Sequence, residues 1–407
     1  MKILRVLSSV DPRGGGPIES VIRSSMILEK DFGCSVELAS LDNENSDFIK
    51  NIPLKTFARG KGFGTFGLNF NFLSWLYKKV HDYDIVIIEG LWQFHGYAAR
   101  KACLRAKKPY VVYVHGLLAS WFRKQHPLKH LKKSVYWLLS ERITLKKARY
   151  VIFTNPEEKE DAKRSFWPYE LEDIVLNFGT TQNNGNAYNQ QKLFLDSFPM
   201  LKNRRVVLFM GRIDPIKGID ILCDAFIKNK HNIDPSLCLV IAGPDTKNYK
   251  AKILNKIPSV GLTDKIIWTG MLKDDLKWGA IKSAEVFLLP SHQESFGVVV
   301  AEALSCSVPV LISNKVNIHG IVSSYGAGLV AEDTLAGISK LLLNWQQLQQ
   351  SDKELMSLRA KKCFDEQFDI RIAAEELYNV LVQNVIEAKN IDNTKVSVIT
   401  NRDLRND

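Results

Sequence analysis

Residues 286–302 read VFLLPSHQESFGVVVAE, and this stretch decides the fold. Val286 to Leu289 is a short continuous apolar run, as expected of a strand buried on both faces of a parallel sheet. Gly297 and the residues after it, VVVAEALSC, predict a helix that opens just past the strand's carboxyl end. Open α/β sheets bind their ligands there, so the segment marks a candidate site. The first turn of such a helix offers backbone N–H groups and the positive end of a dipole, which suits the loop Ser295-Phe296-Gly297 to an anion such as a phosphate. Glu294 lies before the helix and Glu302 inside it, a spacing that lets both carboxylates face one cleft. A carboxylate beside a phosphate is repelled by it. Hydroxyls are the better partner, because an ionised carboxylate accepts about four hydrogen bonds and suits the vicinal diols of a sugar. The plain alternative makes Glu302 a solvated helix residue and Glu294 an acid near a helix N-terminus.

Around this stretch the second half of the chain alternates strand and helix signals: Val206 to Met210, a helix from Gly218, Leu237 to Ala242, a helix near Tyr249, Ile266 to Trp268, and Val308 to Ile312. Such alternation predicts a doubly wound sheet. Its first strand leads into Gly211-Arg212-Ile213-Asp214-Pro215-Ile216-Lys217-Gly218, which puts two cations on the rim that carries Glu294. Arginine is a planar fork and lysine a point charge, a combination fitted to two linked phosphates.

The first half shows the same alternation, with strand signals at Ile3 to Leu7, Asp84 to Glu89, Pro109 to Val114, Tyr150 to Thr154 and Ile174 to Leu176. After the first comes Gly14-Gly15-Gly16-Pro17 and a helix through Leu28, a seat for a diphosphate or simply a tight turn. His115 comes off the carboxyl end of its strand, on the same rim. A GxGxxG occurs at Gly62 to Gly67, but its interleaved phenylalanines and the lack of a preceding strand favour a loop over a dinucleotide site. Asp82-Tyr83-Asp84 matches a metal-binding DxD, yet both acids fall at the amino end of their strand, away from ligands. Gly179 to Lys192 is polar and reads as a linker. The expected domains are 1–190 and 191–368, then a helix at 369–389 packing back on the first domain and a polar tail at 390–407.

The length of 407 residues and the 45% hydrophobic content fit a globular chain of two or three domains. Six scattered cysteines without CxxC spacing read as reduced core residues of a cytoplasmic protein, and no run is long enough to span a membrane. The net charge is +11, and Arg100 to Tyr150 holds fourteen Lys or Arg residues against the single acid Glu141. Within residues 121–149, Trp121, Phe122, Tyr136 and Trp137 interleave with Lys129, Lys132 and Lys133. That pattern fits a surface meeting anionic lipid headgroups, or a solvated basic face. No nucleic-acid motif accompanies it.

These motifs, above all FMGRIDPIKGID, IAGPD, WTGMLKDDLKWGAI and LLPSHQESFGVVVAEAL, resemble the family 4 retaining glycosyltransferases of GT-B fold, over nearly the whole chain. EGLWQFHGYAARKA, YVVYVHGLLASW and FTNPEE are most similar to bacterial enzymes of surface-polysaccharide assembly. The resemblance implies an α/β architecture of two doubly wound Rossmann-like domains facing across a deep cleft. It implies that Arg212 and Lys217 hold the donor diphosphate, Glu302 the ribose hydroxyls and Glu294 the donor sugar, with N–H groups of Phe296 to Val298 alongside. Gly15 and Gly16 would close over the donor and His115 would contact the sugar near the reacting carbon. It further implies no metal or cofactor, a UDP- or GDP-linked sugar as donor, and a saccharide acceptor, in one version linked to polyprenyl diphosphate. Glu89 departs from the pattern, standing where relatives often carry histidine. A nucleotide-sugar epimerase of the same architecture and a non-catalytic nucleotide-sugar-binding protein are the alternatives.

Overall fold

The computed structural model describes residues 1–14, 16–121, 123, 127–245, 247–255 and 265–403, with side chains to residue 387. The chain divides into two units, Met1–Phe178 with the segment from Ile370 onward, and Gly179–Asp369.

The first unit is built on seven parallel strands: β1 Lys2–Val6, β2 Ser35–Ser40, β3 Thr56–Ala58, β4 Ile85–Glu89, β5 Tyr110–Tyr113, β6 Val151–Phe153 and β7 Asp173–Val175, in the order β3-β2-β1-β4-β5-β6-β7. Their near-continuous apolar runs follow from burial on both faces. Leu4, Val6, Val86 and Ile88 point to one side, where Phe72, Phe94 and Trp137 cover them. Ile3, Ile85, Ile87 and Val111 point to the other, against Leu28, Leu377 and Leu381. The last two belong to the C-terminal helix Ile370–Asp403, which packs on the helix Gly16–Phe32, with the Phe32 and Tyr378 rings 4.5 Å apart.

The second unit carries six parallel strands: β8 Arg205–Met210, β9 Leu237–Ala242, β10 Ile266–Gly270, β11 Val286–Leu289, β12 Val310–Ser313 and β13 Gly328–Ala331, in the order β10-β9-β8-β11-β12-β13. In both sheets the winding direction reverses once, between β1 and β4 and between β8 and β11. A crevice forms at the carboxyl ends of the two strands flanking such a reversal, and ligands bind in it.

Several expectations are corrected. The division falls at Phe178/Gly179 and not at 190, because the second half of the polar stretch is a helix, Ala187–Ser197, that belongs to the second unit. Asn186 caps it, and it approaches the helix Asp274–Ser283 so closely that a Cβ on Gly279 would lie 2.1 Å from the Gln190 carbonyl. The terminal helix continues to Asp403, through much of the expected polar tail. Strands β2, β3 and β13 have no counterpart in the sequence reading. The glycines of the GxGxxG serve a tight loop: Phe63 and Leu68 form an antiparallel bridge, and a Cβ on Gly62 would lie 2.1 Å from the Gly67 carbonyl. Asp82 and Asp84 do lie at the amino end of β4, the first paired with Lys79 and the second accepting the Lys2 N–H. The six cysteines are free thiols, five of them buried.

Candidate active site

In the second unit the reversal point is lined by the loop after β8 and the loop after β11. Gly211 to Gly218 leaves β8 and turns through a short 3-10 segment, Pro215–Lys217, before the helix Ile219–Lys228. Asp214 caps that segment by accepting the Ile216 N–H at 3.1 Å. Gly218 sits at φ +66°, and a Cβ there would lie 2.3 Å from the Pro290 carbonyl, so the two loops meet without room for a side chain. The His292 N–H donates to the Ile216 carbonyl at 2.8 Å and ties them further. Glu294 is fixed by its own backbone, its N–H on the Lys315 carbonyl (3.0 Å) and its carbonyl on the Asn317 N–H (2.9 Å).

This scaffold brings the expected residues together. The Lys217 ammonium forms an ion pair with the Glu294 carboxylate. Gly297, at φ +80°, is the N-cap of the helix Val298–Ser305, so Ser295, Phe296 and Gly297 lead directly into its first turn and Val298 opens it. Phe296 is buried edge-on against Phe368, centroids 5.5 Å apart, which anchors the loop. Arg212 is exposed on the same loop as Lys217. With Lys247 at 2.6 Å, its charge helps hold the Asp214 carboxyl below the usual range, against burial that would raise it. Glu302 is not a solvated helix residue: it is 2% exposed, and Lys277 reaches its Oε1 at 2.5 Å. Lys277, on the helix Asp274–Ser283, escaped the sequence reading. Its only signal was its place in WTGMLKDDLKWGAI, and nothing in that pattern shows which way its side chain turns.

In the first unit the reversal point holds a second charged cluster. His115 follows β5 with φ +51°, and Gly116 continues at φ +75°. The Gly116 N–H donates to the buried Glu158 carboxylate, which also accepts the Thr154 N–H at 2.8 Å, so Glu158 fixes the loop. The His115 Nε2 lies 2.7 Å from Glu89 Oε2, and the Arg5 Nε donates to Glu89 Oε1 at 2.7 Å. Burial alone would raise the Glu89 carboxyl, but the charge of Arg5 and the hydrogen bond from His115 outweigh it and hold it at about 2. Gly16 is the first residue of its helix, and Gly15 lies outside the described residues.

The basic segment is a helical run, Pro127–Tyr136, Trp137–Glu141 with π geometry, and Arg142–Lys146. Trp137, expected at the surface, is 1% exposed and packs on Trp92 and Phe166. Aliphatic side chains stand out instead: Leu128 (78% exposed), Leu131, Val135, Leu138, Leu139 (72%) and Ile143, beside exposed Lys129, Lys132 and Lys146. Phe122 lies outside the described residues. No described helix is long and apolar enough to cross a membrane.

Residues 194–355 match the family model for glycosyl transferases group 1, and residues 31–177 match that of the glycosyl transferase 4-like domain. The chain belongs to the group 1 glycosyltransferases. It is 26% identical over 321 residues to an uncharacterized glycosyltransferase of Methanocaldococcus jannaschii, covering 74% of this chain and 75% of that protein. Mannosylfructose-phosphate synthase of Agrobacterium fabrum is 31% identical over 121 residues, 28% of this chain and 26% of its own length. Among solved structures, Anabaena HepE in complex with UDP and glucose superposes with a TM-score of 0.74 at 17% identity, over 94% of this chain and 100% of that one. WaaG, a glycosyltransferase involved in lipopolysaccharide biosynthesis, gives a TM-score of 0.67 at 14% identity, over 94% and 99%. At these identities the structures share the fold, which is GT-B, two Rossmann-like halves each on a parallel sheet.

Proposed function

We propose that this glycosyltransferase moves a sugar from a nucleotide-diphospho-sugar, UDP- or GDP-linked, to a hydroxyl of a saccharide acceptor, with retention at the anomeric carbon and without a metal. The observation that carries this reading is the meeting, at the reversal point of the second unit, of Lys217, Glu294 and the helix terminus at Gly297, with Arg212 on the same loop. Arg212 and Lys217 hold the two phosphates, and the N–H groups of Phe296 to Val298 complete the anion seat. As the sugar–oxygen bond breaks, negative charge grows on the leaving diphosphate, and the two cations and the helix dipole stabilise it. Glu302 takes the ribose hydroxyls. Glu294, relieved of Lys217 when the diphosphate binds that ammonium, accepts hydroxyls of the donor sugar. The family resemblance assigns Gly15, Gly16 and His115 to donor binding as well. The acceptor attacks from the face that the diphosphate leaves, and the diphosphate takes the acceptor's proton, which accounts for retention without a protein nucleophile.

The acceptor in this reading is lipid-linked, on a surface-polysaccharide route. Its support is the exposed stripe from Leu128 to Ile143 with its flanking lysines, the composition of a helix that lies in an anionic lipid surface. Thermal stabilisation by UDP, GDP, ADP and dTDP tests the donor site. A nucleotide at a hundred times its Kd adds about 2.7 kcal/mol. One nucleotide stabilises the wild type and fails to stabilise Arg212→Ala, whose exposed side chain carries no fold. Stabilisation of both proteins alike, or of neither, overturns the assignment.

A further inference from the structure

Arg5 and Glu89 occupy sheet positions whose neighbours are apolar. Arg5 shares its face of β1 with Ile3, and Glu89 shares its face of β4 with Ile85 and Ile87. Both are buried, and β1 and β4 are the two strands at the reversal point. An apolar pair would pack there at no electrostatic cost, and swapping a buried ion pair for hydrophobic residues is often neutral or stabilising. Stability alone therefore gives no reason for the pair.

The surroundings show what the pair is arranged to do. Arg5 is immobilised from behind, its Nη1 donating to Ser24 Oγ at 2.9 Å, Ser25 Oγ at 3.1 Å and the Val21 carbonyl at 3.2 Å. The Glu89 carbonyl is 2.9 Å from the buried His95 Nε2. One Glu89 oxygen is thus committed to Arg5, and the other faces the His115 ring at 2.7 Å. His115 itself stacks on Tyr113, with centroids 5.3 Å apart and planes 13° apart, and keeps 12% of its side chain exposed. Its left-handed backbone is unusual for a non-glycine residue and aims the ring from the strand end. A small space beside it, about 10 Å³ and lined in part by Arg5, Ser20, Ser24 and Tyr113, is far too small for a sugar.

We propose that Glu89 is a positioning residue for His115: its carboxylate accepts the Nε2–H, fixes that tautomer and the plane of the ring, and leaves Nδ1 as a bare acceptor for a hydroxyl of the substrate. An ionised carboxylate only accepts, so the nitrogen facing it must carry the proton, and a neutral imidazole then has its lone pair on the other nitrogen. Arg5 keeps Glu89 ionised and so makes the tautomer permanent. The substrate group that His115 takes is accordingly a hydrogen-bond donor, a free hydroxyl rather than an ether or carbonyl oxygen. The second half of this inference rests on the reading of His115 as facing the sugar; the first half does not.

The first test is the tautomer of His115 in the full wild-type chain, read by nitrogen-15 NMR of labelled histidines and assigned by loss of the signal in His115→Gln. An Nε2–H tautomer is expected, and an Nδ1–H tautomer overturns the proposal. The second test is the double variant Arg5→Met/Glu89→Met, which removes the charged pair together and keeps its volume. A fixed tautomer gives way to a mixture, and nucleoside diphosphate release from the stabilising nucleotide's sugar conjugate drops about 10- to 100-fold in kcat with KM within about twofold. Unchanged kcat and tautomer in a folded double variant would sink the positioning role. If the wild type shows the Nε2–H tautomer but turns over no nucleotide sugar, the geometry stands and the glycosyl-transfer reading of His115 falls.

Discussion

Glu141 is a buried carboxyl that no step of the proposed reaction uses, and its environment sets a stability that depends on pH. It ends the π segment Trp137–Glu141, is 2% exposed, and has the Trp92 N–H at 3.4 Å, with the charges of Arg100 and Lys133 acting on it. Burial dominates these and pushes the carboxyl from 4.5 up to about 7. Below pH 4.5 the group is protonated folded or unfolded and costs nothing. Between 4.5 and 7 the unfolded chain has released a proton that the folded chain retains, so stability falls as pH rises; above 7 the loss is complete. A shift of about 2.5 units at 1.36 kcal/mol each comes to about 3 kcal/mol at pH 8, against about 1.4 kcal/mol at pH 5.5. Glu141→Gln keeps the shape without the charge, and so gains stability over the wild type in that proportion. Urea unfolding at pH 5.5 and 8, read by hydrogen exchange in the peptide containing Ile85–Glu89, confines the measurement to the first unit. A variant no more stable than the wild type at pH 8, or ahead by the same margin at both values, refutes the account.

Two further outcomes follow from exposure and position. Leu131→Asp with Leu139→Asp puts charge on the exposed stripe without touching the core, so the melting temperature stays within about 2 °C while cosedimentation with phosphatidylserine-containing vesicles is lost; retained binding refutes the lipid reading. Arg205 forks onto Glu285 at 2.6 and 2.7 Å at the amino end of β8, so Arg205→Met destabilises the second unit by about 2–4 kcal/mol yet leaves its nucleotide Kd within about twofold, as equilibrium binding at a temperature where the variant is folded will show.

The sequence made legible whatever depended on long apolar runs and on loops at strand ends. Every strand buried on both faces and rich in Val, Ile and Leu was identifiable, and so was the loop-to-helix passage at Gly297, because chain direction alone puts it at the ligand-binding edge. Strand β2, SVELAS, was missed because Glu37 interrupts it; only the fold shows that Lys55 and the Tyr83 hydroxyl meet that carboxylate. Strands β3 and β13 are short, and β13 starts at a glycine whose Cβ would strike the Val310 carbonyl, a contact no local pattern encodes. The lining of the site was half legible. Lys217 and Glu294 were predicted separately, but that they form one ion pair depends on how the chain folds across a separation of 77 positions. Lys277 on Glu302 and Arg5 on Glu89 are likewise long-range pairs. Trp137 misled because aromatic and basic residues interleave at a lipid surface and over a covered core alike, and the π segment turns its ring inward.

Ion pairs as such do not mark the site. The strands β8 and β11 carry one at each end: Arg205 with Glu285 where they begin, and Lys217 with Glu294 where they finish. The first is closed. Glu285 also accepts from Lys353 and the Trp345 Nε1, Arg205 also holds Asp234, and every oxygen and nitrogen of that cluster is engaged in tying strands to the helices behind them. The second joins only two loops, on the edge where successive strands splay apart, and faces a helix N-terminus that adds positive potential next to the ammonium. A lysine beside a helix dipole and a carboxylate only 18% exposed is a poor stabilising device, since the dipole raises the cost of the cation. The same arrangement becomes favourable once two phosphates lie between the lysine and the helix terminus. In the proposed reaction the pair is part of an anion seat, where Glu294 holds in place the cation that we assign to the diphosphate.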